Sequence, residues 1–281
     1  LTLAVLFNIG MLAAFKYTNF FITAINDIST VLGNTLNLTL LNIFLPAGIS
    51  FYTFQAMSYT LDIYFEKLKP EKSLLKFTLF ISFFPQLIAG PIVRAKEFLP
   101  QLRERITLLP DNLKIGFTIM MWGFVKKIVI ADNIALLVDR IFADPTLYSS
   151  SIPHLLAMFA FGIQVYCDFS GYSDIAIGVA RILGFRLPLN FNHPFFSLNP
   201  AEFWRRWHMT LSFWIRDYIY NPTYVYLSGK NSIRRIKDIK YRTKLIIYLA
   251  SFIALFLMGI WHGAGWNFVI YGVYNGLLLV G

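Results

Sequence analysis

Apolar runs of membrane-spanning length alternate with short polar segments along the chain. A helix needs about 20 predominantly apolar residues to cross the hydrocarbon core of a bilayer. The run 36–65 exceeds this, and Pro46 and Gly48 predict a break or kink within it. The runs 113–131, 152–180, 245–262 and 266–281 each predict a span. The run 1–15 predicts a clipped one. The chain opens on Leu1 and is still apolar at Leu277 to Gly281, so both ends are expected to be cuts from a longer protein. No signal peptide is recognisable.

The run 77–93 is short and holds Pro85, Gly90 and Pro91. Basic clusters flank it on both sides, and a single crossing would put one of them on the wrong face. A re-entrant or broken segment is expected, tolerable at membrane depth only where protein or water covers the freed backbone. Lys126 and Lys127, near the end of their run, are expected to snorkel to the interface. The net-acidic stretch 132–151 is expected to be an outer loop. Asp168 and Asp174 fall inside the run 152–180. A carboxylate is costly there and is expected to face a bundle interior or a cavity.

Residues 203–220 differ. On a helical wheel of about 100° per residue, Trp204, Trp207, His208, Leu211, Trp214, Ile215 and Tyr218 form one stripe. Arg205, Arg206, Arg216 and Asp217 fall outside it. The segment is too charged to span, and one interfacial helix near the inner face is predicted.

Composition narrows the class. The chain is 57% hydrophobic and 14% charged, against roughly 45–50% and 25% for a soluble domain, and its mean hydropathy is +0.57. That excludes a soluble globule, a disordered chain and a disulfide-built secreted module. The expected fold is an all-α polytopic membrane protein, with residues 1–281 as a single membrane-embedded core. Cys167 is the sole cysteine, so no internal disulfide forms, and packing is its expected role.

The net charge of +10 resides wholly in residues 65–76, 94–105 and 230–244, and the rest of the chain is neutral. Short basic segments beside apolar runs follow the positive-inside pattern of cytoplasmic loops, so nucleic acid is not an expected partner.

Of the four histidines, His154 at a span start and His193 before Pro194 are expected to be structural. His208 lies on the aromatic stripe, where a hydrogen-bonded core histidine is the ordinary reading. His262 stands in Trp261-His-Gly-Ala-Gly-Trp-Asn267 at the end of an apolar span. An ionisable group there is a functional candidate. The adjacent glycines are expected to let a ligand approach closely, and Trp261 and Trp266 either to wall an apolar slot or to anchor at the membrane interface. A neutral imidazole suits general-base chemistry, as in acyl transfer from a thioester to a hydroxyl. Asn267, an indole N–H or a backbone N–H would stabilise the oxyanion. No Gly-x-Ser-x-Gly elbow, metal-ligand spacing or nucleotide glycine motif occurs, so a covalent triad and a metal site are not expected.

Lys244 to His262 spans about 27 Å as helix. With 230–244 cytoplasmic, His262 lies deep in the membrane or toward its outer half. A cytoplasmic donor then needs a tunnel, which His208, Trp204, Trp207, Asp168 and Asp174 are candidates to line or shape.

Six stretches carry a resemblance: Leu45-Pro-Ala-Gly-Ile-Ser-Phe-Tyr-Thr-Phe-Gln55, Ser82-Phe-Phe-Pro-Gln-Leu-Ile-Ala-Gly-Pro-Ile92, Asp168-Phe-Ser-Gly-Tyr-Ser-Asp-Ile-Ala-Ile-Gly178, Glu202-Phe-Trp-Arg-Arg-Trp-His-Met-Thr-Leu-Ser212, Arg216-Asp-Tyr-Ile-Tyr220 and Trp261-His-Gly-Ala-Gly-Trp266. In this order the chain resembles the membrane-bound O-acyltransferase family, within it the alginate O-acetyltransferase branch. The resemblance implies a multi-helix fold with broken, re-entrant and interfacial helices around a tunnel. It carries the family's proposed catalytic histidine to His262 and its second marked histidine to His208. It implies a multi-pass bacterial plasma-membrane enzyme with no bound cofactor and a thioester donor such as acetyl-CoA. The acceptor would be a cell-surface or secreted polysaccharide, with accessory transfer proteins on the outer side and lipid around the helices. Two other readings are a D-alanyl transfer protein of teichoic acid modification and a non-enzymatic transporter. The 168–178 stretch and Trp-Arg-Arg-Trp favour the alginate-type branch. No repeat of the kind expected in a transporter is evident.

Overall fold

The computed structural model describes residues 1–34, 36–87, 90–104, 109–146 and 148–280, the last without its side chain. Ile88 and Ala89 of the 77–93 run, Arg105 of the second basic segment, Leu147 of the 132–151 stretch and Gly281 lie outside the described residues. Among those described, every regular element is a helix.

Along the chain these are α1 (Thr2–Val31), α2 (Ile49–Tyr64), α3 (Leu74–Ser82), α4 (Pro110–Phe124), α5 (Asp132–Ala143) and α6 (Ser151–Ile182), followed by α7 (Pro200–Arg206), α8 (Met209–Ile215), α9 (Asn221–Gly229), α10 (Ile239–His262) and α11 (Trp266–Val280). Helices α1, α6 and α10 are long and apolar enough to cross a membrane. The chain divides into two compact units, residues 68–192 and residues 1–67 with 193–281.

In the 68–192 unit, α4 passes through a π-helical turn, Val125–Ala131, into α5. The stretch 132–151, expected to be a loop, is helical up to Ala143, because Val138 and Ile141 bury one apolar face. Helices α4 and α6 pack antiparallel with almost no side chain between them. A Cβ on Gly116 would stand 2.7 Å from the Gly178 carbonyl oxygen, and one on Gly123 2.6 Å from that of Gly171. Glycine at both crossings lets the backbones touch. Lys126 and Lys127 follow this contact. They do not snorkel. Lys126 Nζ pairs with Asp174 Oδ2 at 2.5 Å, and Lys127 Nζ with Asp168 Oδ1 at 2.5 Å and Asp132 Oδ1 at 2.7 Å. A carboxylate within reach in an apolar setting outcompetes a long extension toward water.

The short 77–93 run is broken as expected. Helix α3 ends at Ser82, a 3₁₀ turn covers Phe84–Gln86, and residues 91–94 have no regular structure. Arg103 donates to Glu71 Oε2 at 2.9 Å, so the polar segments flanking the run meet, as a re-entrant path requires. Phe83, Phe98 and Phe185 cluster beside the break, with ring centroids 4.8–5.3 Å apart.

In the other unit, the apolar run 36–65 is helical only from Ile49. Gly48 adopts φ 73°, which favours glycine, and caps α2. Ahead of it, residues 37–46 run without regular structure along α1. Asn19 and Asn26, two turns apart on α1, hold this strap. Their carboxamides donate to the Leu41 and Leu38 carbonyls, both at 2.9 Å, and accept from the same residues' N–H groups at 2.9 and 3.0 Å. Side-chain amides supply the partners that a helix would otherwise provide. Helices α10 and α11 form a hairpin, with Gly259 and Gly272 at their point of contact.

Candidate active site

His262 is the last helical residue of α10 and is exposed. Its ring meets Tyr271 of α11 edge-on at 5.7 Å, and the Trp261 ring lies 5.0 Å on its other side. The hairpin loop that follows is Gly263-Ala-Gly265. A Cβ on Gly263 would overlap the Phe268 ring, and one on Gly265 would stand 2.5 Å from Asn267 Oδ1. The space beside His262 that the glycines were expected to leave for a ligand is thus occupied by Phe268 and Asn267. These glycines close the hairpin over its own side chains.

The predicted helix over 203–220 is interrupted at His208. Helix α7 ends at Arg206, Trp207 is extended, and His208 takes φ 42°, ψ 53° before α8 begins. A non-glycine residue in the left-handed region carries strain, and such strain gathers at functional sites. The break divides the stripe. His208, Leu211, Trp214 and Ile215 are buried. Trp207 turns instead to stack on Phe203 at 5.5 Å, and Trp204 meets Phe203 edge-on at 5.4 Å. Trp204 also lines an apolar cavity of about 200 Å³ bounded by Ile215, Arg216, Leu255 and Met258, one helical turn before His262.

Trp261 joins the two histidines. Its ring centroid lies 6.4 Å from His208 and 5.0 Å from His262. It stacks on Phe54 of α2 at 5.2 Å, and Phe54 stacks on Trp214 at 4.2 Å. Trp214 Nε1 donates to the Phe54 carbonyl at 3.0 Å, and Tyr218 Oη to Asp62 Oδ1 at 2.7 Å. Helix α1 contributes from a π-helical turn, Ala13–Tyr17, a feature frequent at functional sites. Lys16 Nζ donates to the Trp261 carbonyl and stands 5.4 Å over the Trp261 ring. Tyr17 Oη donates to the Ile260 carbonyl at 2.8 Å.

The structure thus brings His208, Trp261 and His262 together. Trp266 is 54% exposed and meets Phe20 edge-on at 5.6 Å, so it walls no slot with Trp261. Asp168 and Asp174 pair with Lys127 and Lys126 in the 68–192 unit. His154 rests between the Ser150 and Pro145 carbonyls, and His193 takes φ 47° in a turn. Cys167 is buried. Sequence reasoning passed over Lys16, Tyr17, Phe51 and Phe54. Phe51 and Phe54 lie inside the Leu45–Gln55 stretch. Lys16, a lone cation after an apolar run, was the available signal for the first pair.

His208 lies outside the three candidate spans and is 2% exposed. Burial, with the nearby His262, lowers its pKa from 6.5 to about 3, so the ring is neutral at physiological pH. The unfolded chain takes up this proton near pH 6.5, and the folded chain refuses it until about pH 3. Stability therefore falls as pH drops through that window, by at most about 1.4 kcal/mol per unit. Melting of the detergent-solubilised protein at pH 7.5 and 5 is expected to show this loss, and His208→Gln is expected to shrink the pH difference. An unchanged difference would refute the assignment.

Residues 66–281 match the model of the membrane-bound O-acyltransferase family. A protein of Azotobacter vinelandii named probable alginate O-acetylase AlgI is 40% identical over 281 residues, covering 99% of this chain and 52% of that protein. The peptidoglycan O-acetyltransferase of Helicobacter pylori is 37% identical, covering 99% and 54%. The teichoic acid D-alanyltransferase of Bacillus subtilis is 34% identical, covering 83% and 57%. The chain spans about half the length of the curated relatives it matches.

Proposed function

Because this chain belongs to the membrane-bound O-acyltransferase family, we propose that the intact protein carries out O-acetylation of a surface or secreted polysaccharide, alginate-like in class. The donor is a cytoplasmic thioester such as acetyl-CoA, and the protein sits as a multi-pass enzyme in the bacterial inner membrane. Accessory proteins on the outer side receive or complete the transfer. The observation that carries this reading is the single uninterrupted helix Ile239–His262. It rises about 36 Å, begins within a basic segment, and ends at an exposed histidine beside a buried one.

In the proposed reaction, the acceptor hydroxyl oxygen attacks the thioester carbonyl carbon while the neutral His262 imidazole takes its proton. The carbonyl π electrons move to oxygen. Collapse of this intermediate breaks the C–S bond, and the leaving thiolate recovers the proton from the imidazolium. An ester and a free thiol result.

The test uses membranes from cells expressing the full-length protein with its neighbouring partners, supplied with acetyl-labelled CoA. Label in alkali-labile esters of the surface polysaccharide is the expected outcome. Transfer of D-alanine from a carrier-bound thioester, with no acetyl label, would replace this reading by the teichoic acid one.

A further inference from the structure

We propose that the indole N–H of Trp261 is the hydrogen-bond donor that holds the acyl carbonyl oxygen during transfer, and that Lys16 positions and polarises that indole. The inference rests on the reading of His262 as the base.

The Trp261 ring is fixed on several sides. Phe54 stacks on it at 5.2 Å and 22°, and Phe51 meets it edge-on at 6.1 Å. The neighbouring indole in the same stack, Trp214, has its N–H satisfied by the Phe54 carbonyl. The N–H of Trp261 is also buried, yet it meets no hydrogen-bond acceptor among the described residues. Buried donors are almost always paired, and an exception calls for a reason. A ligand oxygen supplies one. The ring carrying this donor adjoins His262 at 5.0 Å. In the proposal, an acyl carbon presented to a hydroxyl beside His262 turns its carbonyl oxygen to this indole N–H, the buried donor that otherwise lacks an acceptor among the described residues.

Lys16 acts on the same ring twice. Its ammonium binds the Trp261 carbonyl and stands over the π face at 5.4 Å. Together with Tyr17 on the Ile260 carbonyl, it satisfies acceptors in the last turn of α10, which a helix end leaves open. That fixes the backbone of Trp261 and His262 together. A cation over the face also draws electron density from the indole, which makes its N–H a stronger donor and favours negative charge on the adjoining oxygen. When the hydroxyl attacks, the carbonyl electron pair moves onto that oxygen, and the hydrogen bond it accepts from the indole N–H shortens. When the C–S bond breaks, the electrons return and the contact relaxes.

The experiment replaces Trp261 by β-(3-benzothienyl)alanine in the full-length protein. Sulfur then stands where the N–H was and the ring shape is kept. With acetyl-CoA as donor, kcat is expected to fall on the order of 10²–10³-fold, with KM for the thioester nearly unchanged. Lys16→Met is expected to lower kcat by a smaller factor, and Lys16→Arg to restore part of it. A benzothienyl variant with wild-type kcat overturns the proposal. A second reading guards against a folding defect. In the His262→Ala protein, the infrared stretch of ¹³C-carbonyl acetyl-CoA is expected to shift to lower frequency on binding. Benzothienylalanine at position 261 is expected to remove that shift, and a shift that survives it overturns the proposal. The parent reading fails separately, if His262→Ala alone keeps normal turnover.

Discussion

His262→Ala is expected to abolish polysaccharide acylation while the amount of protein in the membrane stays at the wild-type level. The two halves of this outcome have separate causes. The imidazole is exposed at the end of α10 and contacts its neighbours through ring edges, so losing it leaves no cavity and strands no buried partner. Its removal also leaves in place the α10 backbone contacts made by Lys16 and Tyr17. The proposed transfer, in contrast, loses the group that takes the hydroxyl proton. General-base removal costs about 10²–10⁴-fold in rate, which brings ester content near the blank. The measurement is alkali-released acetate per unit of polymer, beside an immunoblot of the membrane fraction. Normal acetate with normal protein would remove His262 from the chemistry. His208→Ala is expected to differ in kind. His208 is buried and holds a left-handed backbone position, so protein level and activity are expected to fall together.

Gly178→Leu is expected to remove folded protein from the membrane almost entirely. A Cβ at position 178 would stand 2.5 Å from the Gly116 carbonyl oxygen and 2.6 Å from the Met120 amide nitrogen. Both obstacles are backbone, so no side chain can swing aside, and α4 must move off α6. Ordinary overpacking costs about 1–3 kcal/mol. Here the displacement also separates Gly123 from Gly171 and pulls Lys126 and Lys127 from Asp174 and Asp168. Charges stripped of their partners at membrane depth are costly. Gly162→Ala, on the same helix with nothing within 4 Å, is the control and is expected to be neutral or slightly stabilising. Melting in detergent separates the two variants. A Gly178→Leu protein that melts like the wild type would refute the close crossing.

The backbone-close crossing was present in the sequence as Gly116 and Gly123 on one run and Gly171 and Gly178 on another, each pair seven residues apart. A seven-residue spacing places both glycines of a pair on one helical face. Nothing in either run alone says that the two faces meet. The same holds for Lys126 and Lys127, whose own run points to snorkelling, whereas the helix carrying Asp168 and Asp174 supplies their partners.

By itself the sequence determined the membrane class, the approximate helices, the broken 77–93 segment and His262 as the group to test. These follow from local quantities: the length of an apolar run, a proline within it, an ionisable side chain where lipid should be. Tertiary structure alone decided the rest. His208 breaks its helix with no glycine or proline to announce it, because burial among distant aromatics outweighs the propensity of the segment to stay helical. The 37–46 strap forgoes helix because Asn19 and Asn26 supply its hydrogen bonds from α1. The glycines beside His262 serve Phe268, and Trp261 gains its place between two histidines from Phe54 and Lys16, residues more than 200 positions away in the chain. Side-chain pairing between remote segments depends on where the backbone brings them, and no local pattern encodes that.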